Sequence, residues 1–349
     1  MRLFFRYILS LGILLAITSL IIPMRYDLSY PKKLGPKFDN SIRRQYMRDI
    51  VEKNAELVLI GDSVLVLSVD PEQLEQLTGK STYSLSIPGS ASAVWYLAMK
   101  NVIAKSTHKP RYVIIVFRDT ILTAPGYRVN GKYFTLVDML ANTDDTLVIQ
   151  KSFIQQMSPA EQWADRYLPL YGSRLRLRET LDYYTRYTLT NLTGCDPQCN
   201  DNANFTVFQD LNLDSNLLVE AIATAESYLY TPKQMDFAAQ LDQSFLPDII
   251  RLAQENNLQL ILVRTKHLDT PTEASESAPL KGYIQALKSY AEQNGVIVLD
   301  FAYDKRLTSD LFVDSHHLSE AGSIVFTKML AEALALTFDS QATYAQNRK

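Results

Sequence analysis

Five short apolar runs constrain the fold of this chain more than any other feature. They are Leu57–Ile60, Tyr83–Ile87, Tyr112–Phe117, Leu258–Val263 and Val296–Leu299. Each is partly β-branched and apolar without strict alternation, which is how strands buried on both faces of a parallel sheet read. Parallel neighbours need long crossovers, so helices must fill the connections. The sequence supplies them. "SASAVWYLAMKNVIAK" follows the second run and "FLPDIIRLAQENN" precedes the fourth. In "LKGYIQALKSYAEQNG", Leu280, Tyr283, Ile284, Leu287, Tyr290 and Ala291 share one face, and Asn294-Gly295 closes the helix. Strands alternating with helices predict right-handed βαβ units in a three-layer α/β/α domain with a mostly parallel sheet.

The alternation lapses between about Thr120 and Leu241. That region reads as a helical insertion, with stretches such as "AEQWADRYLPL" and "SNLLVEAIATAESYLY". Tyr167, Tyr171, Tyr183, Tyr184 and Tyr187 crowd it; aromatic residues of this kind pack an insertion together or line a groove. The expected organisation is an N-terminal segment over 1–25, a linker and helix over 26–54, and the α/β domain over 55–349 with its insertion at about 120–241.

The N-terminus carries Arg2 and Arg6, then runs uncharged from Tyr7 to Met24. Those 18 residues meet the lower limit for a helix that spans a bilayer, about 17. A cleaved signal peptide would end on small residues, whereas this run closes on "LIIPMRYD". The expectation is an uncleaved single-pass anchor. Arg25, Lys32, Lys33 and Lys37 follow the span, a bias that by itself places the bulk of the chain in the cytoplasm. Cys195 and Cys199, the two cysteines of the chain, point the other way: in a polar, turn-rich loop they can close a small disulfide outside the cytoplasm.

With 47% hydrophobic and 21% charged residues the chain can bury a substantial core. A net charge of -3 argues against nucleic acid as the main partner. The sequence contains neither G-x-x-x-x-G-K-[ST] nor G-x-G-x-x-G, so no nucleotide cofactor is expected.

The chemistry lies at two distant places. The first apolar run ends on Gly61-Asp62-Ser63, at the carboxyl end of a strand, where open α/β sheets bind ligands. Near the other end of the chain "LFVDSHHLSEAG" offers Asp314, His316 and His317 just before a final helix from Ser319 to about Leu336. A serine hydroxyl becomes a nucleophile when a base takes its proton, and a third group must orient that base. Asp314 and His317, three apart, are spaced to do this. Asp314, His316 and His317 could also ligate a metal, but His108 and His267 lie elsewhere in the sequence, and no metal is expected. The G-x-S-x-G elbow does not fit, because "GDSVL" has leucine in place of the second glycine.

Gly-Asp-Ser after the first strand, combined with D-x-x-H-L before the last helix, resembles the SGNH (GDSL) hydrolase superfamily. The resemblance covers most of residues 55–120 and 255–337. It implies a flavodoxin-like sheet, Ser63 as nucleophile, Asp314 as orienting acid and His317 as base. It also implies an oxyanion hole made by the Ser63 amide, Gly89 in "LSIPGSAS" and an asparagine after the third strand. Here the third block departs, for "YVIIVF" runs into Arg118-Asp119-Thr120. Asp119 stands near the expected asparagine, and an ionised carboxylate cannot donate. Arg118 offers a substitute donor, and Arg264 after the fourth strand, with Lys266 and His267, lies where it could reach the edge of the site. The anchor and the altered third block are similar to the membrane-anchored SGNH-like proteins of polysaccharide O-acetylation and teichoic-acid D-alanylation. That likeness implies a serine acyltransferase working outside the cytoplasmic membrane, beside a membrane-bound O-acyltransferase, on a cell-surface glycan or polymer. An esterase or deacetylase of the same fold and a non-catalytic anchored scaffold are the other readings.

Overall fold

In a computed structural model of the chain, the five apolar runs form one parallel sheet in the order β2-β1-β3-β4-β5. The structure describes residues 2–26, 30–31, 41–124, 134–142, 144–152, 158–174, single positions between 177 and 199, 227–269 and 272–346. The strands are β1 Leu57–Gly61, β2 Thr82–Ser86, β3 Tyr112–Phe117, β4 Gln259–Arg264 and β5 Ile297–Asp300. The helices are α1 Arg2–Tyr26, α2 Ser41–Glu52, α3 Ser63–Ser68, α4 Pro71–Thr78, α5 Ser92–Ala98, α6 Phe134–Leu140, α7 Thr146–Ser152, α8 Pro159–Tyr167, α9 Pro169–Gly172, α10 Phe237–Leu241, α11 Leu246–Glu255, α12 Ala278–Gln293 and α13 Glu320–Gln346. A π-helical turn, Met99–Ile103, continues α5.

The described residues fall into two compact units. One comprises Pro36–Ser152 and Tyr228–Lys349, and the other Met1–Gly35 and Phe153–Ser227. The first holds the sheet. Its strands are buried on both faces, as their composition demands. Leu57, Leu59, Ile114 and Val116 join a core with Phe326, Met329, Leu330 and Leu334 of α13. The alternate residues Val58, Ile60, Val113 and Ile115 are equally buried on the face that α5 and α11 cover. Each such side chain contributes about 1.5–3 kcal/mol on burial. Leu280, Tyr283, Ile284, Leu287 and Ala291 form the buried face of α12. By composition alone α13 could cross a membrane over Glu320–Phe338, but its contacts with the sheet make it a core helix.

The order 2-1-3-4-5 is that of flavodoxin-like sheets, in which β1 and β3 flank the topological switch point. Register fixes what meets there. Gly61 pairs with Ser86 of β2, and Ile60 with Ile115 of β3. The chain therefore leaves β1, β2 and β3 at one edge, carrying Ser63, Gly89 and Arg118 respectively.

In the other unit α1 contains Leu3–Arg25, 23 residues of mean hydropathy 2.2, long and apolar enough to cross a membrane. Ser158 and Glu161 cap the start of α8 reciprocally. α9 packs against α1, and the Tyr30 hydroxyl lies 3.4 Å from Ser173 Oγ. Cys195 and Cys199 are joined in a disulfide. Tyr183, Tyr187 and most of the helix predicted over 215–230 lie outside the described residues.

Candidate active site

Ser63 is the first residue of α3, one residue beyond the end of β1's Gly61-Asp62 turn. Asp62 is the helix N-cap, and its Oδ1 accepts from the Val64 N–H at 2.9 Å. Gly61 is required for close packing: a Cβ there would lie 2.6 Å from Leu65 Cβ and 3.2 Å from the Val116 carbonyl oxygen. α3 can therefore fold back onto the sheet only because residue 61 has no side chain.

The acid and base come from a closed loop before α13. Phe312 and Leu318 pair as an antiparallel bridge, the Val313 N–H donates to the His317 carbonyl, and the Ser319 N–H to the Leu311 carbonyl. Asp314 Oδ1 accepts from the backbone N–H groups of His316 and His317, at 2.9 and 2.8 Å. Its other oxygen, Oδ2, lies 2.7 Å from His317 Nδ1. His317 Nε2 in turn lies 2.9 Å from Ser63 Oγ, across 254 residues of sequence. The structure thus brings Ser63, His317 and Asp314 into one line of hydrogen bonds. Partial burial works against the Asp314 charge, but the two amides and His317 outweigh it and hold its pKa below the usual carboxylate range. The carboxylate is thus ionised and keeps Nδ1 of His317 as the donor, leaving Nε2 to accept from serine.

Gly89 lies in the turn after β2 at φ 77°, a conformation that is costly for any residue with a Cβ. Ser90 fastens this turn to the serine turn. Its Oγ donates to the Gly61 carbonyl at 3.1 Å and accepts from Trp95 Nε1 at 2.9 Å. The Ile87 N–H donates to the same Gly61 carbonyl. The Ser63 N–H opens the first turn of a helix, where intrahelical acceptors are lacking.

The third block is occupied otherwise. Asp119 sits at φ 45°, a left-handed conformation that Asp and Asn tolerate best. Both its oxygens are engaged: Arg264 Nη2 donates to Oδ1 at 3.1 Å and the Tyr230 hydroxyl to Oδ2 at 2.5 Å. Arg264 also pairs with Glu276 and lies 3.6 Å from Asp300. Burial works against this guanidinium, yet Asp119, Asp300 and Glu276 more than offset it and raise its pKa. The expectation that Arg264 lines the substrate edge is therefore corrected: it is 1% exposed and spends its charge on three carboxylates. Lys266 likewise turns inward, donating to the Asp304 and Leu307 carbonyls. Arg118 is buried, with Nη2 3.9 Å from Asp62 Oδ2.

Three of the four histidines of the chain meet here. The His316 ring lies 4.2 Å from that of His317 and stacks on His267 at 5.9 Å. The sequence places His267 just past β4 on this sheet edge; its stacking on His316 is what the structure adds. Burial first, then the charges of Arg118 and His317, push His316 down to about 3, so it stays neutral at ordinary pH. Ligand atoms of Asp314, His316 and His317 lie within 4.8 Å of one another. Asp314 and His317 are already spent on each other and on Ser63, so the arrangement is that of an acid–base relay. A residue missed in the sequence is Gly322, where a Cβ would sit 2.2 Å from the Leu311 carbonyl oxygen. Only glycine lets α13 approach the loop that carries Asp314 and His317.

A family model described as DUF1574, a protein family of unknown function, matches residues 38–333. No curated protein matches the chain. Among solved structures, it is similar to a candidate acylhydrolase from Bacteroides fragilis at 12% identity and a TM-score of 0.39, covering 86% of this chain and 99% of that one. A candidate lipolytic protein of the G-D-S-L family from Desulfitobacterium hafniense matches at 12% identity and 0.36, covering 79% and 97%. A GDSL-like lipase from Bacteroides thetaiotaomicron matches at 9% and 0.38, covering 84% and 98%.

Proposed function

The chain belongs to the DUF1574 family, and from the geometry of its site we propose that it is a serine acyl-transfer enzyme. The observation that carries this reading is the Ser63 Oγ to His317 Nε2 distance of 2.9 Å, backed by His317 Nδ1 to Asp314 at 2.7 Å. His317 takes the Ser63 proton as the hydroxyl attacks an acyl carbonyl. The Ser63 and Gly89 amides hold the developing oxyanion, a two-donor hole that leaves Asp119 out. His317 then gives its proton to the leaving group, and an acyl ester remains on Ser63. In the second half His317 takes the proton of the acceptor hydroxyl as that oxygen attacks the acyl ester, and passes it to Ser63 Oγ as the ester bond to serine breaks. Asp314 stabilises the imidazolium throughout and is not itself protonated.

The acceptor in this proposal is a hydroxyl of a cell-surface glycan or polymer, with an acetyl or other short acyl group as the cargo. The apolar α1 supports an anchored enzyme, and the Cys195–Cys199 disulfide supports a position outside the cytoplasm. A membrane-bound O-acyltransferase is the partner suited to deliver the acyl group. Water as acceptor would make the same site an esterase. The test is labelling of the full chain with a fluorophosphonate. One adduct on Ser63, absent from Ser63→Ala, is expected. An unlabelled wild-type chain that also forms no acyl ester with any activated acetyl donor would sink the proposal.

A further inference from the structure

Beyond its catalytic site the chain displays an exposed aromatic pair. Trp163 and Tyr167, one turn apart on α8, are 57% and 47% exposed, with ring centroids 6.0 Å apart. Arg166 lies over the Tyr167 ring at 5.4 Å, and Arg174 over Tyr171 at 3.9 Å. Asp165, by contrast, is buried on the opposite side of the helix, where it pairs with Arg174 at 3.6 Å. Large aromatic rings backed by guanidinium groups are poor as a solvent-facing surface and well suited to the headgroup layer of a bilayer, where Trp and Tyr concentrate.

The position of α8 makes a lipid surface the fitting occupant. α8 runs through Leu168 directly into α9, and both pack together in one compact unit with α1. α9 packs on α1, whose Ile22 is buried, and the Tyr30 hydroxyl, just beyond the helix, lies 3.4 Å from Ser173 Oγ, next after α9. A helix of 23 residues is about 34 Å long at 1.5 Å per residue, slightly more than a hydrocarbon core of about 30 Å. Ile22 and Tyr30 bracket the carboxyl end of the span, where it leaves the bilayer on the anchored reading. We propose that α8 is an interfacial helix that inserts Trp163 and Tyr167 into the lipid headgroup layer beside the exit of α1, with Arg166 on the phosphates. This rests on the membrane-anchored reading of the protein. The aromatic pair fixes the rotation and depth of the anchored unit, which a single span leaves free.

The chain has two tryptophans, and Trp95 is buried in the core of the sheet unit, so Trp163 can report alone. The full chain is reconstituted in phosphatidylcholine–phosphatidylglycerol vesicles whose acyl chains carry bromine either near the headgroup or near the chain end. Alkaline carbonate washing first establishes that the chain stays in the vesicles, which tests the anchor by itself. In the retained protein, shallow bromine should remove most of the Trp163 emission and deep bromine much less. Trp163→Phe should leave only the unquenched Trp95 signal. Equal emission with and without bromine in carbonate-resistant protein overturns the inference while the anchor stands. So does Trp163 emission that shifts with protein concentration but not with bromine, since that would mean a second copy covers the pair. Release by carbonate overturns the anchor and this inference with it.

Discussion

As the proposed nucleophile Ser63 must be reachable by a substrate and still held on line with His317, and its neighbours divide that work. Asp62 caps the helix that Ser63 begins, while Asp314 fixes the ring that faces it. His316 is the neighbour with a measurable signature. Its folded pKa, about 3, lies below the ordinary histidine value of 6.5, so the unfolded chain binds more protons between those values. The stability that neutral His316 contributes is therefore complete above pH 6.5 and is lost as pH falls toward 3, at about 1.4 kcal/mol per unit at most. His316→Gln should flatten the dependence of unfolding free energy on pH across that window; a slope equal to wild type in urea titrations would refute the assignment. Asp119 makes the opposite kind of prediction. An asparagine at this position is what the resemblance called for, but both Asp119 oxygens are bound to Arg264 and Tyr230. Asp119→Asn should leave the turnover of an activated ester unchanged and lower stability by about 1–3 kcal/mol, because Arg264 loses one of its buried carboxylates. A rise in turnover with unaltered stability would show that residue 119 serves the oxyanion after all.

At the scale of elements the catalytic geometry depends on two close approaches, and both run through glycine. α3 meets β1 at Gly61, and α13 meets the acid–base loop at Gly322. In Gly322→Ala the new Cβ would lie 2.2 Å from a backbone oxygen that cannot swing away. Overpacking of this kind costs about 1–3 kcal/mol. The loop is held at its base by the Ser319 and Leu311 contacts, so displacement there carries to Asp314 and His317. Gly322→Ala should lower both the melting temperature and the rate of fluorophosphonate labelling; a normal labelling rate would mean that the loop does not lean on α13. These approaches also explain how much was legible in the sequence. All five strands read correctly to within a residue or two, because burial on both faces leaves an unbroken apolar run. Ser63 on one side, and Asp314 with His317 on the other, are singled out by two short local motifs, and the structure brings them within hydrogen-bond distance. Gly322, and the stacking of His267 on His316, were not legible, since each depends on two segments meeting in space. Arg264 read as a residue of the site's edge because the carboxyl ends of strands are where such sheets bind ligands. Its three acidic partners come from three separate segments, none near it in the sequence.

At the scale of the whole molecule, the proposed acyl-transfer site and the apolar N-terminal helix belong to different units. Ser63, His317 and Asp314 all lie in the compact unit built from Pro36–Ser152 and Tyr228–Lys349, whereas α1 belongs to the other. Among the described residues, the partners of Ser63, His317 and Asp314 lie in the sheet unit. On the proposed reading, anchoring acts on encounter and not on the chemical step. Confining enzyme and acceptor to one surface raises the effective concentration of one for the other toward the millimolar range, as any short tether does. A chain lacking residues 1–26 should therefore keep fluorophosphonate labelling of Ser63 and the hydrolysis or transfer of a small activated ester in solution. It should lose most of its transfer to glycan held on cells or vesicles, and regain that transfer as its concentration is raised. The measurement is the rate of acyl incorporation into surface-held and free acceptor, compared at equal active-site titre. Equal rates on surface-held glycan for the truncated and full-length chains would separate the anchor from the function. Loss of labelling itself would place α1 in the fold of the catalytic unit.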